Sequence, residues 1–582
     1  MNTPDKPSML ERSPALRCCR SLFTRRVLRR ELIMLGWFVT LLALFHGEET
    51  WRGRRAWNNY RRELEAQGWQ LDFAALVPKP VYDEQNFAAT PAIKSWFDKR
   101  MPEDTYGEKW TKWFDQKWND NYAHVGPKWS LRGEQNARPG WRFEDLARWA
   151  TAFAAVRSGE SPGPQDAELG PKLVGRSTDR LETLAQHRRR LDSERPDTAS
   201  RSNAAPAVLE GLKTNETLFA ELRAVSSRPY SRYPVNYDVE WPFASLSPQS
   251  GMIPGACWRL RLKSCAELAV GQSDRALEDV RLIWRLADSL KGEPLMISYM
   301  DRRHAAELAV QPIWEGLAGH RWSEAQLQEL QTRLQQYDFI GDLKAPLAGN
   351  QAAGLATIEA VRKKGPGYLS VVMEDCEAES SEAPHRDEAS MLEKFLGFVL
   401  VPRGWYDQEK LNYCRSFQIQ ATALDATKKR ISPSQVKASE RALWFPTGNG
   451  TGGIEETRWV RILRHRSIST VLGPLLKYDL HRAAGAQTVF NLAAIACALE
   501  RYRLAKGSFP GALETLVPQF ISPLPNDVLT GEPYKYRLTD DGRFVLYSVG
   551  WNEKDDGGVP GESLFSHPDD PQGDCVWKYP MK

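Results

Sequence analysis

Two short motifs in the sequence contain residue types that could catalyse a reaction or bind a phosphate. Ser434 and Lys437 match the S-x-x-K pattern of penicillin-binding enzymes, in which a lysine one helical turn away activates the serine. The K-T-G companion motif does not occur, so we interpret this match as chance. Gly448–Gly453 has the glycines of a phosphate loop, but no strand is predicted before it, and we interpret it as a flexible loop.

Metal-dependent chemistry is not indicated by the histidines or the cysteines. The nine histidines are dispersed, and neither an H-E-x-x-H nor a Walker A pattern occurs. The eight cysteines show no C-x-x-C spacing, so they predict neither a zinc site nor a disulfide framework. We therefore assign no catalytic and no cofactor-binding residue, and whether the protein is an enzyme stays open.

A stretch rich in tryptophan and lysine, Lys109–Trp118 with Trp129 beyond it, could form a stacking platform. Sugars or single-stranded nucleic acid could stack on such a surface. Trp110 and Trp113 are three residues apart, and they could equally pack against a neighbouring helix. Nucleic acid is not expected as a partner, because the body of the chain is not basic.

An N-terminal apolar run, Leu32 to Phe45, has no charged residue and could position the rest of the chain at a membrane. As a helix, fourteen residues reach ~21 Å and need help from flanking arginines or a thinned bilayer to cross a ~30 Å core. No A-x-A-like cleavage site follows the run, which favours an uncleaved signal anchor. A cleaved signal and a buried soluble helix are the alternatives.

The charge around this run predicts its orientation. Residues 1–30 hold eight basic and two acidic side chains, a net of +6, so a chain with a total of +4 leaves −2 for the rest. Arginines on this side favour a cytoplasmic N-terminus and an extracytoplasmic or periplasmic body at the inner (cytoplasmic) membrane. Arg52, Arg54 and Arg55 follow closely on the other side and weaken the asymmetry.

At 582 residues the chain is too long for one growing core, so several units are expected. The composition suggests the following division: a basic cytoplasmic tail at 1–30, the transmembrane anchor at 31–47, a juxtamembrane helix at 48–80, a tryptophan-rich mixed region at 81–255, a helical body at 256–470, a C-terminal unit at 471–560 and a tail at 561–582.

Within these units, helical spacing dominates. Ala266–Gly271 followed by Ala276–Asp279 resembles the contact between the two helices of a tetratricopeptide-type hairpin, although a generic helical hairpin fits equally. Ser323 and Gln326 predict a capping box that opens the next helix. Five prolines between Pro229 and Pro254 predict an aromatic-packed excursion without a long helix.

The last unit begins with a long amphipathic helix that is predicted to end at Gly507. Tyr534 to Leu538 and Phe544 to Val549 flank Asp540-Asp541-Gly542 and predict a β-hairpin. The predicted fold class is thus mainly α, with a small α+β C-terminal domain in which a long helix packs on a short antiparallel sheet, and one N-terminal transmembrane helix.

The order of motifs in this unit, from Tyr502 through Phe509-Pro510, Leu524-Pro525 and Pro533-Tyr534 to Tyr547–Gly550, resembles the soluble domain of type II secretion major pseudopilins. The resemblance implies a helix packed on a small sheet. Pseudopilins begin with a processed hydrophobic helix, whereas this helix is internal and no prepilin cleavage motif precedes it. We therefore expect the fold to be used as a domain, not for polymerisation.

The resemblance also implies a calcium ion in the loop after the last long strand. Here Asn552, Asp555 and Asp556 occupy that place, and with backbone carbonyls they could supply several of the six to eight oxygens that calcium needs. A D-D-G-G sequence is equally typical of an ordinary exposed turn. Calcium is the one cofactor that the sequence suggests.

These observations favour a membrane-anchored interaction or scaffold protein of the cell envelope, with the lipid bilayer and envelope proteins as partners. One alternative is an envelope enzyme that acts on glycan or peptidoglycan through the tryptophan-rich region. A second alternative is an accessory component of a type II secretion-like apparatus, which the resemblance alone suggests.

Overall fold

The computed structural model describes residues 25–97, 143–158, 198–239, 241–244, 248–365, 368, 401–443, 460–461, 464–473, 476–561 and 572–578. Over these residues the protein is mainly helical, as the sequence predicts, and it contains two small antiparallel sheets where the sequence predicts one. The stretch Lys109–Trp118, Trp129 and the loop Gly448–Gly453 lie outside the described residues. The stacking platform therefore stays a prediction.

The first helix, α1, runs without a break from Arg25 to Ala66. It joins the segment predicted as the anchor to the segment predicted as a juxtamembrane helix, because no proline interrupts the 42 residues. Beyond it, Gly68 adopts a left-handed backbone with φ of 85°, as a helix-ending glycine does. The helix of the predicted juxtamembrane segment (48–80) thus ends at Ala66. Only the short α2 (Phe73–Leu76) lies between that end and residue 80.

The region after α1 is built from short helices. These are α3 (Pro91–Trp96), α4 (Leu146–Ser158), α5 (Thr198–Leu212) and α6 (Glu216–Ala224). Thr90 caps α3 by accepting the backbone N–H of Ile93 at 3.2 Å. The aromatic excursion that follows is packed as predicted, with Tyr233, Tyr237 and Trp241 all buried.

The prediction of no long helix up to Pro254 is wrong at its end. Helix α7 begins at Gln249 and runs through Pro254 to Ala269. Pro254 is the sixth residue of the helix, beyond the first four N–H groups that have no intrahelical acceptor, so it removes one backbone hydrogen bond. The helix nonetheless continues past it, with buried residues before and after the proline.

The body is a succession of packed helices. After α7 come α8 (Ser273–Asp288), α9 (Met296–Leu308), α10 (Val310–Ala318), α11 (Glu324–Gln335), α12 (Lys344–Lys364) and α13 (Arg403–Ala421). Helices α7 and α8 form the predicted hairpin, with Gly271 in the left-handed conformation (φ 79°) at the turn. Its kinship with tetratricopeptide repeats stays a prediction.

The capping box that opens α11 is confirmed. The Ser323 hydroxyl accepts the backbone N–H of Gln326 at 3.3 Å, and the Gln326 side chain accepts the backbone N–H of Ser323 at 2.9 Å. The predicted apolar face of this helix, formed by Leu327, Leu330 and Leu334, is fully buried.

The five strands that the structure describes lie between Leu424 and Trp577. In chain order it comprises β1 (Leu424–Asp425), β2 (Arg430–Ile431), α14 (Pro433–Ala442), α15 (Ser467–Val471), α16 (Leu476–Lys506), β3 (Lys535–Leu538), β4 (Phe544–Ser548) and β5 (Cys575–Trp577). The predicted end of α16 at Gly507 (φ 84°) and the predicted β3–β4 hairpin are both present. Strand β5 adds to β4, which gives an antiparallel three-stranded sheet.

Buried side chains from α1 to β5 form one continuous hydrophobic core. Helix α16 lies within it, packed against α11 on one side and against strands β4 and β5 on the other. The Asn491 amide donates to the Tyr534 hydroxyl at 3.1 Å and ties the helix to the sheet. The C-terminal unit therefore shares its core with the helical body.

Candidate functional site

The predicted calcium loop follows β4, and its side chains are held by hydrogen bonds within the protein. Asp555 Oδ1 accepts the Tyr547 hydroxyl at 2.9 Å and the Gly557 N–H at 3.0 Å, and Lys535 Nζ lies 3.6 Å from its Oδ2. The Gly557 N–H and the Tyr547 hydroxyl lower the pKa of Asp555, because they stabilise the charged carboxylate. Asp555 is therefore an ionised, exposed oxygen donor.

The other two predicted ligands contact each other. The Asn552 amide nitrogen donates to Asp556 Oδ2 at 2.9 Å, and the Asn552 oxygen accepts the backbone N–H of Lys554 at 3.1 Å. A cation would need the Asn552 oxygen, which the turn itself uses.

A carboxylate that the sequence did not indicate completes this cluster. Asp574 lies just before β5, and it accepts the backbone N–H groups of Gly558 at 2.7 Å and Asp556 at 3.2 Å. Burial, together with the negative charges of Asp556 and Asp555, raises the pKa of Asp574. Three acidic side chains thus meet at one edge of the sheet.

The described residues contain no group of three or more histidine, cysteine, aspartate or glutamate side chains arranged to hold a metal ion. Asn552, Asp555, Asp556 and Asp574 are near one another, but their present oxygens are directed at protein donors. Calcium at this loop stays a prediction. Asp574 could not have been found from spacing, because it is separated from Asp556 by a long connection and is brought back only by the pairing of β5 with β4.

A second site is the joint between the anchor helix and the body, where α1 crosses α13. A Cβ atom added to Gly53 would lie 2.1 Å from the carbonyl oxygen of Gly404, and one added to Gly404 would lie 2.1 Å from the carbonyl oxygen of Glu49. Such distances leave no room for any side chain, so the two backbones touch. Close backbone contact at glycine is the usual way in which two helices approach most tightly.

Glu49 is the polar centre of this joint and is only 6% exposed. Its Oε2 accepts the Trp405 indole N–H at 3.0 Å, and its Oε1 lies 2.6 Å from Arg52 Nη2. His465 Nε2 lies 3.8 Å from Oε2 of the same carboxylate. One carboxylate of α1 therefore connects the first turn of α13 to the turn that contains His465.

His465 is held beside α1 in an unusual backbone conformation, with φ of 54°. The Asn412 amide of α13 stabilises this turn by donating to the carbonyl oxygens of Arg464 at 3.1 Å and His465 at 2.8 Å. Desolvation lowers the pKa of His465, and the charge of Glu49 acts in the opposite direction. The strain indicates that the position of the imidazole beside Glu49 is specified by the fold.

The contact between α1 and α13 continues away from the joint. The Arg415 guanidinium lies 5.6 Å from the centre of the Tyr60 ring, further along both helices. The helices thus run side by side in the same direction, with the N-terminal turn of α13 nearest the apolar half of α1. Gly53 and Gly404 carry no sequence signal of this contact, because they are ordinary glycines far apart in the chain.

Among the described residues, the carboxylates of Glu267 and Asp279 lie close together, as paired carboxylates of an active site do. Burial and the negative charge of Asp279 raise the pKa of Glu267, and perturbed carboxylates are common at active sites. Lys263 Nζ, however, lies 2.8 Å from both carboxylates, and Asp279 is fully buried. This is the geometry of an internal ion-pair network between α7 and α8.

A surface groove of about 420 Å³ lies between α8 and α11 and does not include this network. Its lining residues are Arg281, Trp284, Ala325, Gln328, Glu329, Thr332, Arg333 and Gln336. Arg281 crosses it to pair with Glu329 at 2.5 Å. The groove is thus bridged by an ion pair and brings no pair of carboxylates together.

The S-x-x-K match lies on α14. Ser434 Oγ is 3.0 Å from Ser432 Oγ and 3.4 Å from Glu553 Oε1. These partners satisfy the hydroxyl at the start of a helix, where serine commonly lies. The arrangement supports the interpretation of the motif as chance.

No family model, no curated protein and no solved structure matches this chain, so its function has to be argued from its own residues.

Proposed function

We propose that this protein is a membrane-anchored scaffold of the cell envelope, in which α1 both crosses the bilayer and holds the helical body. The observation that carries the proposal is the division of α1 into two halves. Its first half exposes large apolar side chains on every face, and its second half is packed into the body through the Gly53–Gly404 contact.

The exposed half has the character of a lipid-facing helix. Leu35, Trp37, Phe38, Leu41 and Leu44 are each more than half exposed. Single exposed apolar residues are common on soluble proteins, but a continuous apolar cylinder of this length is not. By length and composition, α1 contains a stretch that is long and apolar enough to cross a membrane, and burial of the side chains of Leu32 to Phe45 in lipid removes them from water.

The proposed orientation places the N-terminus in the cytoplasm and the body outside the inner membrane. Arg29 and Arg30 are exposed and precede the apolar run, separated from it by Glu31, where they can reach the headgroups and lengthen a short span. The basic residues earlier in the sequence act in the same direction.

The scaffold role rests on the continuity of α1. A helix without a break transmits its orientation, whereas a flexible linker would let the body rotate freely. The joint adds fixed contacts, because Glu49 is bonded to Trp405 and the backbones of Gly53 and Gly404 touch. The body would thus be presented to envelope proteins at a fixed angle and height.

A second candidate is an accessory role in a type II secretion-like apparatus. The observation that favours it is the packing of α16 against a three-stranded antiparallel sheet, the arrangement that the pseudopilin resemblance implies. Fold analogy gives no partner, so this candidate would be tested by co-purification with secretion components.

The test of anchoring is carbonate extraction of membranes from cells that produce the full chain. We expect the protein to stay in the pellet, and the variant Leu35→Arg/Leu41→Arg to move to the supernatant, because two central arginines make insertion costly. A matched variant, Arg61→Leu/Arg62→Leu, changes the same number of residues outside the span and should stay in the pellet.

Protease treatment of intact spheroplasts then tests the orientation. Digestion of the body from outside is the expected result. A full chain that carbonate releases would refute the anchoring proposal, and a body protected in intact spheroplasts would refute the orientation.

A further inference from the structure

The body reaches down to the level at which α1 leaves the proposed bilayer. The Trp405 ring lies 6.4 Å from the ring of Phe45, the last residue of the apolar run. Headgroups extend ~5–7 Å beyond the hydrocarbon core, which corresponds to about four residues of helix beyond Phe45. Trp405 and the first turn of α13 therefore lie within or just above the headgroup layer.

The exposed side chains at this level and just above it are mostly cationic, and Arg54 and Arg55, ~14 Å beyond Phe45 along α1, need their long side chains to reach it. Arg54 and Arg55 on α1 and Arg403 on α13 are all exposed. Neither Arg54 nor Arg403 has an ion-pair partner among the residues that the structure describes. Glu48 is the exposed acid nearby, while the charge of Glu49 is already met by Arg52. Among the residues that the structure describes, these side chains together carry a net positive charge.

The direction of these side chains favours the membrane over the solvent. Side chains on a helix lean toward its N-terminus, and α1 and α13 both have their N-terminal ends on the bilayer side. The Arg55 guanidinium lies 5.4 Å from the centre of the Trp51 ring, one turn nearer the membrane. Both arginines of α1 can thus reach back toward the headgroups, and Trp51, 62% exposed, has the character of an interfacial residue.

We infer that Trp51, Arg54, Arg55, Arg403 and Trp405 form a collar that is seated on anionic phospholipid headgroups of the leaflet from which α1 emerges. This inference rests on the proposed anchoring of α1. It explains the arginines that follow the apolar run, which the orientation of the anchor alone leaves without a role. The chemistry that the collar recognises is the lipid phosphate, which arginine binds through its planar fork of donors.

The test uses the full chain in nanodiscs of phosphatidylcholine alone or mixed with anionic phosphatidylglycerol, followed by hydrogen–deuterium exchange. The amides of Arg403 and Gly404 precede the first hydrogen bond of this turn, which the Trp405 N–H donates to the Pro402 carbonyl at 3.0 Å, so exchange here is sensitive to coverage by headgroups. We expect severalfold slower exchange at residues 401–407 in the anionic discs, and loss of this difference at high salt, which screens exposed charges.

The variant Arg54→Gln/Arg55→Gln should lose the lipid-dependent protection. The control Arg61→Gln/Arg62→Gln removes the same charge from the same faces of α1, one heptad and ~10 Å further from the bilayer, and should keep it. Equal exchange in both lipids by an inserted chain, or equal loss in both variants, would overturn the inference. Failure of the chain to enter either disc would instead overturn the anchoring proposal.

Discussion

Among the described residues, two helices are long and apolar enough to cross a membrane by length and composition. One of them is exposed on the surface of the protein, and the other is buried in its core. The most apolar window of α1 has 0% of its residues buried in the protein, whereas that of the segment containing α16 has 94% buried. Their hydropathies are nearly the same. Hydropathy alone therefore does not distinguish an exposed apolar helix from a helix of the protein core.

What separates them is the distribution of small and polar residues. Helix α16 has a cluster of alanines and one glycine at 483–486, which lets neighbouring helices approach, and its polar side chains have specific partners. The Gln487 side chain, for example, accepts the Phe339 N–H at 2.8 Å and donates to the Tyr337 carbonyl at 3.2 Å. The apolar run of α1 has large side chains on all sides and none of these partners.

The largest difference in stability between the two helices is expected when one aromatic residue in each is truncated. Phe490 is fully buried in α16, so Phe490→Ala should lower the free energy of unfolding of the body by about 3–5 kcal/mol. Phe38 is 60% exposed in α1, and Phe38→Ala should leave that free energy unchanged. Denaturant unfolding of the full chain in detergent measures both, and similar losses would mean that α1 is also a core helix.

The joint gives a finer test, because Gly53 of α1 touches the body, whereas Gly47, like Gly36, has no atom within 4 Å. Gly47→Ala should be neutral or slightly stabilising, since no atom lies within 4 Å and alanine favours the helix. Gly53→Ala should cost about 3 kcal/mol, the upper end for overpacking, because the obstacle is a backbone carbonyl that cannot rotate away. Equal stability of the two variants would show that α1 and α13 do not cross here.

The sequence predicts the helices, turns and strands of this fold better than it predicts which of them pack against one another. The capping box at Ser323, the stop at Gly507 and the β3–β4 hairpin depend on residues close in the chain, and all are present. Local chemistry decides such features, so a single sequence is enough to predict them.

The candidate sites depend on contacts between distant residues, and these could not be predicted. Gly53 meets Gly404, and Asp556 meets Asp574, only after the core has formed. The sequence predicts the anchor (31–47) and the juxtamembrane helix (48–80) as separate units, and the structure joins them because glycine at position 47 weakens a helix without ending it when the flanking residues remain helical.

A pH-dependent difference between the two helices follows from a half-buried acid, Asp479, on α16. Burial raises the pKa of Asp479 from 3.8 to about 6, against the opposing charges of Arg482 and Arg303. The folded state thus holds a proton that the unfolded state loses earlier. The stabilisation is complete below about pH 4 and is lost as the pH rises to about 6, a change on the order of 2 kcal/mol.

Denaturant unfolding at a series of pH values measures this change, and Asp479→Asn should flatten the profile between pH 4 and 6. The matched variant Glu48→Gln removes an exposed carboxylate from α1 and should leave the slope as it is. A profile that Asp479→Asn does not alter would place the titration on another group.

The smallest expected effect concerns the sheet that covers α16. If the loop binds calcium, the ion would be held by Asp555 and Asp556 with Asp574, and binding at about ten times Kd would add about 1.4 kcal/mol to the free energy of unfolding. Thermal unfolding with and without calcium measures it. Asp555→Ala/Asp556→Ala should abolish the shift, while Asp540→Ala/Asp541→Ala, in the β3–β4 turn, should keep it.

The two outcomes separate a metal site from a hydrogen-bonded turn. Without an ion, Asp555 and Asp574 already accept N–H and O–H groups of the loop, so their replacement would lower stability equally with and without calcium. An ion would make the loss larger in its presence, because Asn552 would have to turn its oxygen from the Lys554 N–H toward the metal. If calcium leaves the melting temperature of the unaltered protein unchanged, the acidic loop is a hydrogen-bonded turn and not a metal site.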